Sequence, residues 1–103
     1  MKNKQSKSDI AKALRLVRVS KGLTQEDFSL VSSRTYMSSL ERGIKSPTLG
    51  KLEDIAETLG VHPMTLLAIA YCKDQTEDAI ADLLGFVRTD LASLEIVTKK
   101  RLH

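Results

Sequence analysis

One short stretch of this sequence concentrates side chains that could act on a ligand. From Ser33 the chain reads Ser-Arg-Thr-Tyr-Met-Ser-Ser-Leu-Glu-Arg, ending at Arg42. Wound at ~100° per residue, Tyr36, Met37 and Leu40 fall on one side of a helix. Arg34, Thr35, Ser38, Ser39 and Arg42 fill an arc of ~140° on the other side, and no acid interrupts it. Two guanidiniums among short hydroxyls suit the major groove of a DNA duplex, where Arg reads guanine and small polar groups permit close approach. Ser and Thr are mediocre helix formers, so concentrating them here sacrifices helix propensity. An ordinary solvated face would mix in Glu and Lys.

Other candidates for chemistry fall away. Gly43-Ile44-Lys45-Ser46 resembles the tail of a phosphate-binding loop but lacks the upstream Gly, the Gly-Lys adjacency and a preceding strand. His62 stands where a helix cap is expected, and Cys72 lies in a mostly apolar helix; neither has an activating partner in sequence. Glu53/Asp54 and Glu77/Asp78 are adjacent pairs, which point in different directions on a helix and serve charge or capping. One Cys with two His, His62 and His103, supplies neither a disulfide nor a metal site. The expectation is therefore a non-enzyme with no catalytic residues, no metal and no cofactor.

The elements that must position the arc follow from composition and punctuation. A chain of 103 residues makes one small domain, and 42% hydrophobic with 28% charged residues is an ordinary globular balance. Aromatic residues are 4% with no Trp, so the core is built from Leu, Ile, Val, Ala and Met, and an all-α fold is expected. Ser8 is the expected cap of a first helix facing inward through Ile10, Ala13, Leu14 and Val17 and stopped by Gly22. Thr24 caps a short second helix that carries Phe28 and ends near Leu30 or Val31. Ser32-Ser33 caps the third, which Gly43 stops. Thr48 opens a fourth with Leu52, Ile55, Ala56 and Leu59, closed by Gly60, and His62-Pro63 opens a fifth toward Tyr71. A sixth runs from Thr76 toward Thr98. The longest apolar run, Leu66 to Ala70, is far short of the ~20 residues of a membrane span, and Met-Lys-Asn-Lys-Gln-Ser-Lys at the N-terminus has no signal-peptide core behind it. A cytoplasmic protein without membrane contact is expected.

Charge is distributed unevenly. Residues 1–51 carry +7, residues 52–98 carry −7, and Lys99-Lys100-Arg101 restores the total of +3. A basic N-terminal half implies a polyanionic partner for that half.

At this point the chain resembles the Cro/cI-type, or Xre-type, helix-turn-helix family over roughly Ile10 to Leu67. The resemblance rests on Leu14-Arg15 and Arg18, on Gly22-Leu23-Thr24-Gln25-Glu26, and on Arg34 through Gly43. It continues in Ser46-Pro47-Thr48-Leu49, Ile55-Ala56-Glu57 and Leu59-Gly60-Val61. It implies an all-α, phage-repressor-like helix-turn-helix domain of five helices, followed here by one long C-terminal helix. It also implies that the second and third helices form the DNA-reading pair. Arg34, Thr35, Ser38 and Ser39 then reach base edges, while Gln25, Ser33, Arg42 and Lys45 contact the DNA backbone. An Arg18–Glu41 salt bridge fixes the recognition helix. The pattern departs from the family in one place: about two residues, including a Gly, are absent between the second and third helices. Either the turn is remodelled or the second helix is shortened; Ser29 supplies a small residue where the helices cross.

The domain reading is thus a basic flexible arm over residues 1–8, a DNA-binding domain over 9–72, and a C-terminal helix over 73–103 that serves dimerisation. In that last helix Ile80, Leu83, Leu84, Val87, Leu91 and Leu94 form a stripe at three- and four-residue spacings, with Phe86 and Val97 on its flank. Leu84, Val87, Leu91 and Leu94 are the expected dimer interface, joined by Leu16 and Val19 of the first helix. The expected function is sequence-specific transcriptional regulation by a homodimer on double-stranded DNA with a pseudo-palindromic site. The alternative is an antitoxin-like interaction protein that binds a partner protein and regulates its own operon.

Overall fold

In the computed structural model, which describes residues 8–96, each helix begins at a polar cap and most end at a glycine. Helix α1 spans Ile10–Ser20, a 3₁₀ segment spans Gln25–Phe28, and α2 spans Arg34–Glu41. Helices α3, α4 and α5 span Leu49–Leu59, Pro63–Tyr71 and Glu77–Ser93. The described residues are all-helical, with no strand. The cap of α1 is Asp9 rather than Ser8: its carboxylate accepts from the Lys12 backbone N–H at 3.0 Å. Asp9 also donates its own N–H to the Ala70 carbonyl at 2.7 Å, tying the start of α1 to the end of α4. A carboxylate at this end favours the helix dipole more than the Ser8 hydroxyl would. Ser33, Thr48, His62 and Thr76 cap α2 to α5 through their side chains. Gly43 and Gly60 take φ of +75° and +76° at the ends of α2 and α3, a conformation that a Cβ would strain.

The second element departs from the expected helix. It is a 3₁₀ segment that ends at Phe28, two to three residues early, and of the two alternatives the shortened helix is the one found. A 3₁₀ winding rises ~2.0 Å per residue against ~1.5 Å in an α-helix. The tighter winding gains length where the connection to α2 is short, and it brings Phe28, 1% exposed, into the core. The Phe28 carbonyl then accepts from the N–H groups of both Val31 and Ser32 at 2.9 and 2.8 Å, which closes the turn. Leu30 is left 99% exposed at its tip.

The core is one cluster of Leu14, Val17, Phe28, Met37, Leu40, Leu52, Ile55, Ala56, Leu59 and Leu66. Helix α1 packs on α4 and α2, and α5 leans on α4 alone among its closer neighbours. Cys72, buried between them, directs its thiol toward the Ala79 carbonyl, and its own carbonyl accepts from Lys12 Nζ at 3.2 Å. No residue of α5 is buried, and the helix stops at Ser93 with Glu95 at φ 59°, so the expected run to Thr98 is shorter in the described residues. Residues 1–7, which hold most of the expected arm, and Val97, Lys99-Lys100-Arg101 and His103 lie outside them.

A buried ion pair sets α2 against α1. Arg18 Nε and Nη2 donate to the two carboxylate oxygens of Glu41 at 2.6 and 2.9 Å. Arg18 Nη1 donates to the Leu23 carbonyl at 2.9 Å, and Gln25 Nε2 donates to Glu41 at 3.2 Å. The side chains are 15% and 4% exposed. The hydrogen bond to Glu41 raises the Arg18 pKa above its usual value; burial opposes the rise and the charge attraction adds to it. Because Glu41 is desolvated, removing its partner is costly. Replacing Arg18 by Met is expected to destabilise the fold by ~3–5 kcal/mol, whereas the double change Arg18→Met, Glu41→Leu recovers most of that loss. Urea unfolding followed by circular dichroism measures both, and a single-variant cost under ~1 kcal/mol would class the pair with weak surface pairs.

Candidate nucleic-acid interface

With Met37 and Leu40 buried and Glu41 held by Arg18, the opposite face of α2 has one orientation left, toward solvent. Arg34, Thr35 and Arg42 are exposed there and Ser38 is half-buried. Together with Gln25 they line one shallow depression of about 380 Å³. Arg34 and Arg42 are two helical turns apart, ~12 Å along the axis, which is close to the width of the major groove.

Ser39 does not belong to this face. It is 7% exposed, and its carbonyl accepts from the Ile44 and Lys45 N–H groups at 2.9 and 3.3 Å. The burial of Ser39 sets it apart from the exposed residues of the arc and speaks against the expected base contact there. In the helical arc Ser39 stands at the margin of the polar face, where periodicity decides exposure least well. The Lys45 side chain is exposed beyond the C-terminal end of α2.

Of the expected backbone-contacting residues, Gln25 and Arg42 line the depression, Ser33 precedes α2, and Lys45 lines a separate hollow with Ser8, Asp9 and Gly43. Ser33 Oγ accepts from the Tyr36 N–H at 3.0 Å, which leaves its O–H free to donate outward. Gln25 is half-buried, with its amide nitrogen oriented by the Glu41 carboxylate; the second amide hydrogen remains to donate. Arg42 follows the last residue of α2, its N–H on the Ser38 carbonyl at 3.0 Å.

Two residues join the site without a signal in the sequence reading. Glu26 reaches Arg34 Nη1 at 3.5 Å, both side chains being about 70% exposed, so the pair is weak and yields readily to a stronger acceptor. In sequence Glu26 enters only as part of the Gly22-Leu23-Thr24-Gln25-Glu26 stretch, which assigns it no partner. Lys51, from α3, donates Nζ to the Val31 carbonyl and stands 5.7 Å from the centre of the Tyr36 ring. Contacts of that range depend on tertiary packing and leave no local pattern.

Of the four residues expected at an interface between copies, Leu84, Val87 and Leu91 stand open on α5 and Leu94 just past its end. Leu84 and Leu94 are 50% and 61% exposed, Val87 and Leu91 37% and 41%, and Phe86 beside them 70%. Ile80 and Leu83, half-buried, are the ones shielded within the chain. Leu16 and Val19 of α1 are likewise exposed. Among the described residues no group of His, Cys, Asp and Glu gathers that could hold a metal ion, and no helix is long and apolar enough to cross a membrane.

Comparison with known proteins agrees with this geometry. A family model described as helix-turn-helix matches residues 14–66, from the core of α1 to the middle of α4. An uncharacterized HTH-type transcriptional regulator, y4dJ of Sinorhizobium fredii, is 45% identical over 53 residues, covering 50% of this chain and 69% of the relative. The control protein C.BamHI of Bacillus amyloliquefaciens is 40% identical over 57 residues, covering 52% and 70%. Among solved structures, the hypothetical transcription factor NHTF from Neisseria superposes with a TM-score of 0.54 at 35% identity over 61% of this chain and 75% of its own. The clp gene regulator ClgR from Corynebacterium glutamicum superposes with a TM-score of 0.58 at 28% identity over 85% and 87%. The motif matched by these comparisons is the one that the Arg18–Glu41 pair assembles, and the chain belongs to the helix-turn-helix family of DNA-binding transcriptional regulators, of the Cro/cI type.

Proposed function

We infer that the chain regulates transcription in the cytoplasm as a homodimer that reads a specific, pseudo-palindromic DNA site, without enzymatic activity and without a cofactor. The observation that carries this reading is the acid-free outward face of α2, held from behind by a buried ion pair. In this reading Arg34, Thr35 and Ser38 meet base edges, with Arg34 suited to guanine O6 and N7. Gln25, Ser33, Arg42 and Lys45 contact phosphates and set the register. Glu26 gives up Arg34 on binding, at little cost because both side chains are solvated.

The dimer reading rests on α5. A helix of 17 residues that buries none of them, yet carries an apolar stripe from Leu84 to Leu91 that Leu94 extends just past its end, lacks a cover among the described residues. A second copy supplies that cover and places a second recognition helix on the duplex, doubling the bases read. The same open stripe is what favours the second reading, an interaction protein whose α5 binds a different protein.

Selection of bound duplexes from a random pool tests the central reading: enrichment of a motif with two related half-sites is expected, and recovery of no motif would contradict it. On the enriched duplex, Arg34→Ala is expected to cost ~1–3 kcal/mol and relax one base position, while Arg42→Ala weakens all sequences alike and reduces the salt slope by about 0.9. The reverse pattern would exchange the two roles. Because Leu91 is 41% exposed in the single chain, Leu91→Glu is expected to leave the helical fold intact. In sedimentation the variant should run as a monomer where the unaltered chain runs as a dimer, and operator binding should weaken because each half-site must be found separately. An unaltered chain that is monomeric at tens of micromolar refutes the homodimer and shifts weight to the partner-protein reading.

A further inference from the structure

We propose that Lys51 is a positioning residue that sets how α2 is presented to DNA, an assignment that rests on the DNA-binding reading above. Lys51 is the third residue of α3, and the positive end of a helix is an unfavourable place for an ammonium. Its backbone N–H is satisfied locally by Thr48 Oγ at 3.1 Å, so nothing in α3 itself requires a lysine. The side chain is half-buried and crosses to the neighbouring motif. There Nζ donates to the Val31 carbonyl at 2.5 Å and lies 5.7 Å from the centre of the Tyr36 ring. Val31 belongs to the turn that follows the 3₁₀ segment, and Tyr36 to α2. One ammonium therefore binds the two parts whose relative placement decides how the outward arc meets a duplex.

The turn has reason to need this contact. Its other polar ties are local: the Phe28 carbonyl takes the N–H groups of Val31 and Ser32, and Ser33 caps α2. Leu30 lends it no apolar anchor, being 99% exposed, and Val31 is only partly buried against the core. The contact from Lys51 spans 20 residues and comes from an element outside the motif. Because the ammonium is directed to a carbonyl and a ring, Lys51 acts through Tyr36 and Val31 and not on a phosphate. A charged donor on a carbonyl, with an aromatic face beside it, gives both strength and direction.

The test uses the full chain, the duplex enriched by the unaltered protein, and a shuffled duplex of the same length. Lys51→Met keeps the stem and removes the ammonium. Its affinity for the enriched duplex is expected to fall about tenfold, with less than about a twofold change on the shuffled one and an unchanged salt slope. A repeated selection should show altered preference at the bases that meet Arg34 and Thr35. Lys51→Arg, which can both donate to the carbonyl and stack on the ring, is expected to restore selectivity to within about threefold. Equal losses on both duplexes with a slope shallower by about 0.9 would make Lys51 a phosphate contact and overturn the proposal, as would an unchanged affinity. Circular dichroism accompanies each variant. If Lys51→Met does not fold, Lys51→Arg decides: selectivity near that of the unaltered chain supports the proposal, and a tenfold loss with helicity intact overturns it. If the unaltered chain enriches no duplex, the DNA-binding reading fails first and the proposal falls with it.

Discussion

The pair of Arg18 and Glu41 is the constraint on which the rest of the structure turns. A carboxylate 4% exposed in a small all-helical domain is tolerable only when its oxygens are occupied, and here they receive three donors from Arg18 and Gln25. Those donors come from α1 and from the start of the 3₁₀ segment, while the acceptor closes α2. The planar guanidinium fits the carboxylate in a two-pronged geometry that a lysine could not reproduce. Moving α2 by one residue about its axis would swing Glu41 out of that fork and would bring Met37 and Leu40 toward water. Charge and apolar burial thus select one rotation of α2, and the outward face follows from it.

Around that fixed point the connection before α2 is the place where geometry was least free. Phe28 has to reach the core and Ser33 has to cap α2, with few residues between them. The chain meets both demands by winding Gln25–Phe28 as a 3₁₀ segment and by leaving Leu30 in solvent. A fully exposed Leu is a local cost that the burial of Phe28 outweighs, since fully burying a large apolar side chain contributes ~1.5–3 kcal/mol. Lys51 then binds the turn from the opposite side, so the motif is held by Arg18 behind α2 and by Lys51 at its approach.

Helix ends were legible because capping is chemistry within four residues. Thr48, His62, Thr76 and Ser33 all occupy the positions that their types forecast, as do the stops at Gly43 and Gly60. The start of α1 lies one residue later than Ser8 implies: both Ser8 and Asp9 are good caps, and the bond that ties Asp9 to Ala70 in α4 has no local pattern. The outward arc was legible at Arg34, Thr35, Ser38 and Arg42, where periodicity alone decides exposure. At its margin Ser39 is buried instead. Lys51 and Glu26 were invisible as site residues because their partners lie on other elements, and no spacing along the chain encodes them.

The proposed function requires the outward face of α2 to read a duplex from the major groove. Methylation interference on the enriched duplex tests it most directly, because dimethyl sulfate marks guanine N7 in the major groove and adenine N3 in the minor groove, the positions the two grooves display. Methylation of guanine N7 at the half-site positions is expected to block binding by the unaltered chain, and Arg34→Ala is expected to lose sensitivity at one of those guanines. Interference confined to adenine N3, or absent from every guanine of the site, would contradict that reading.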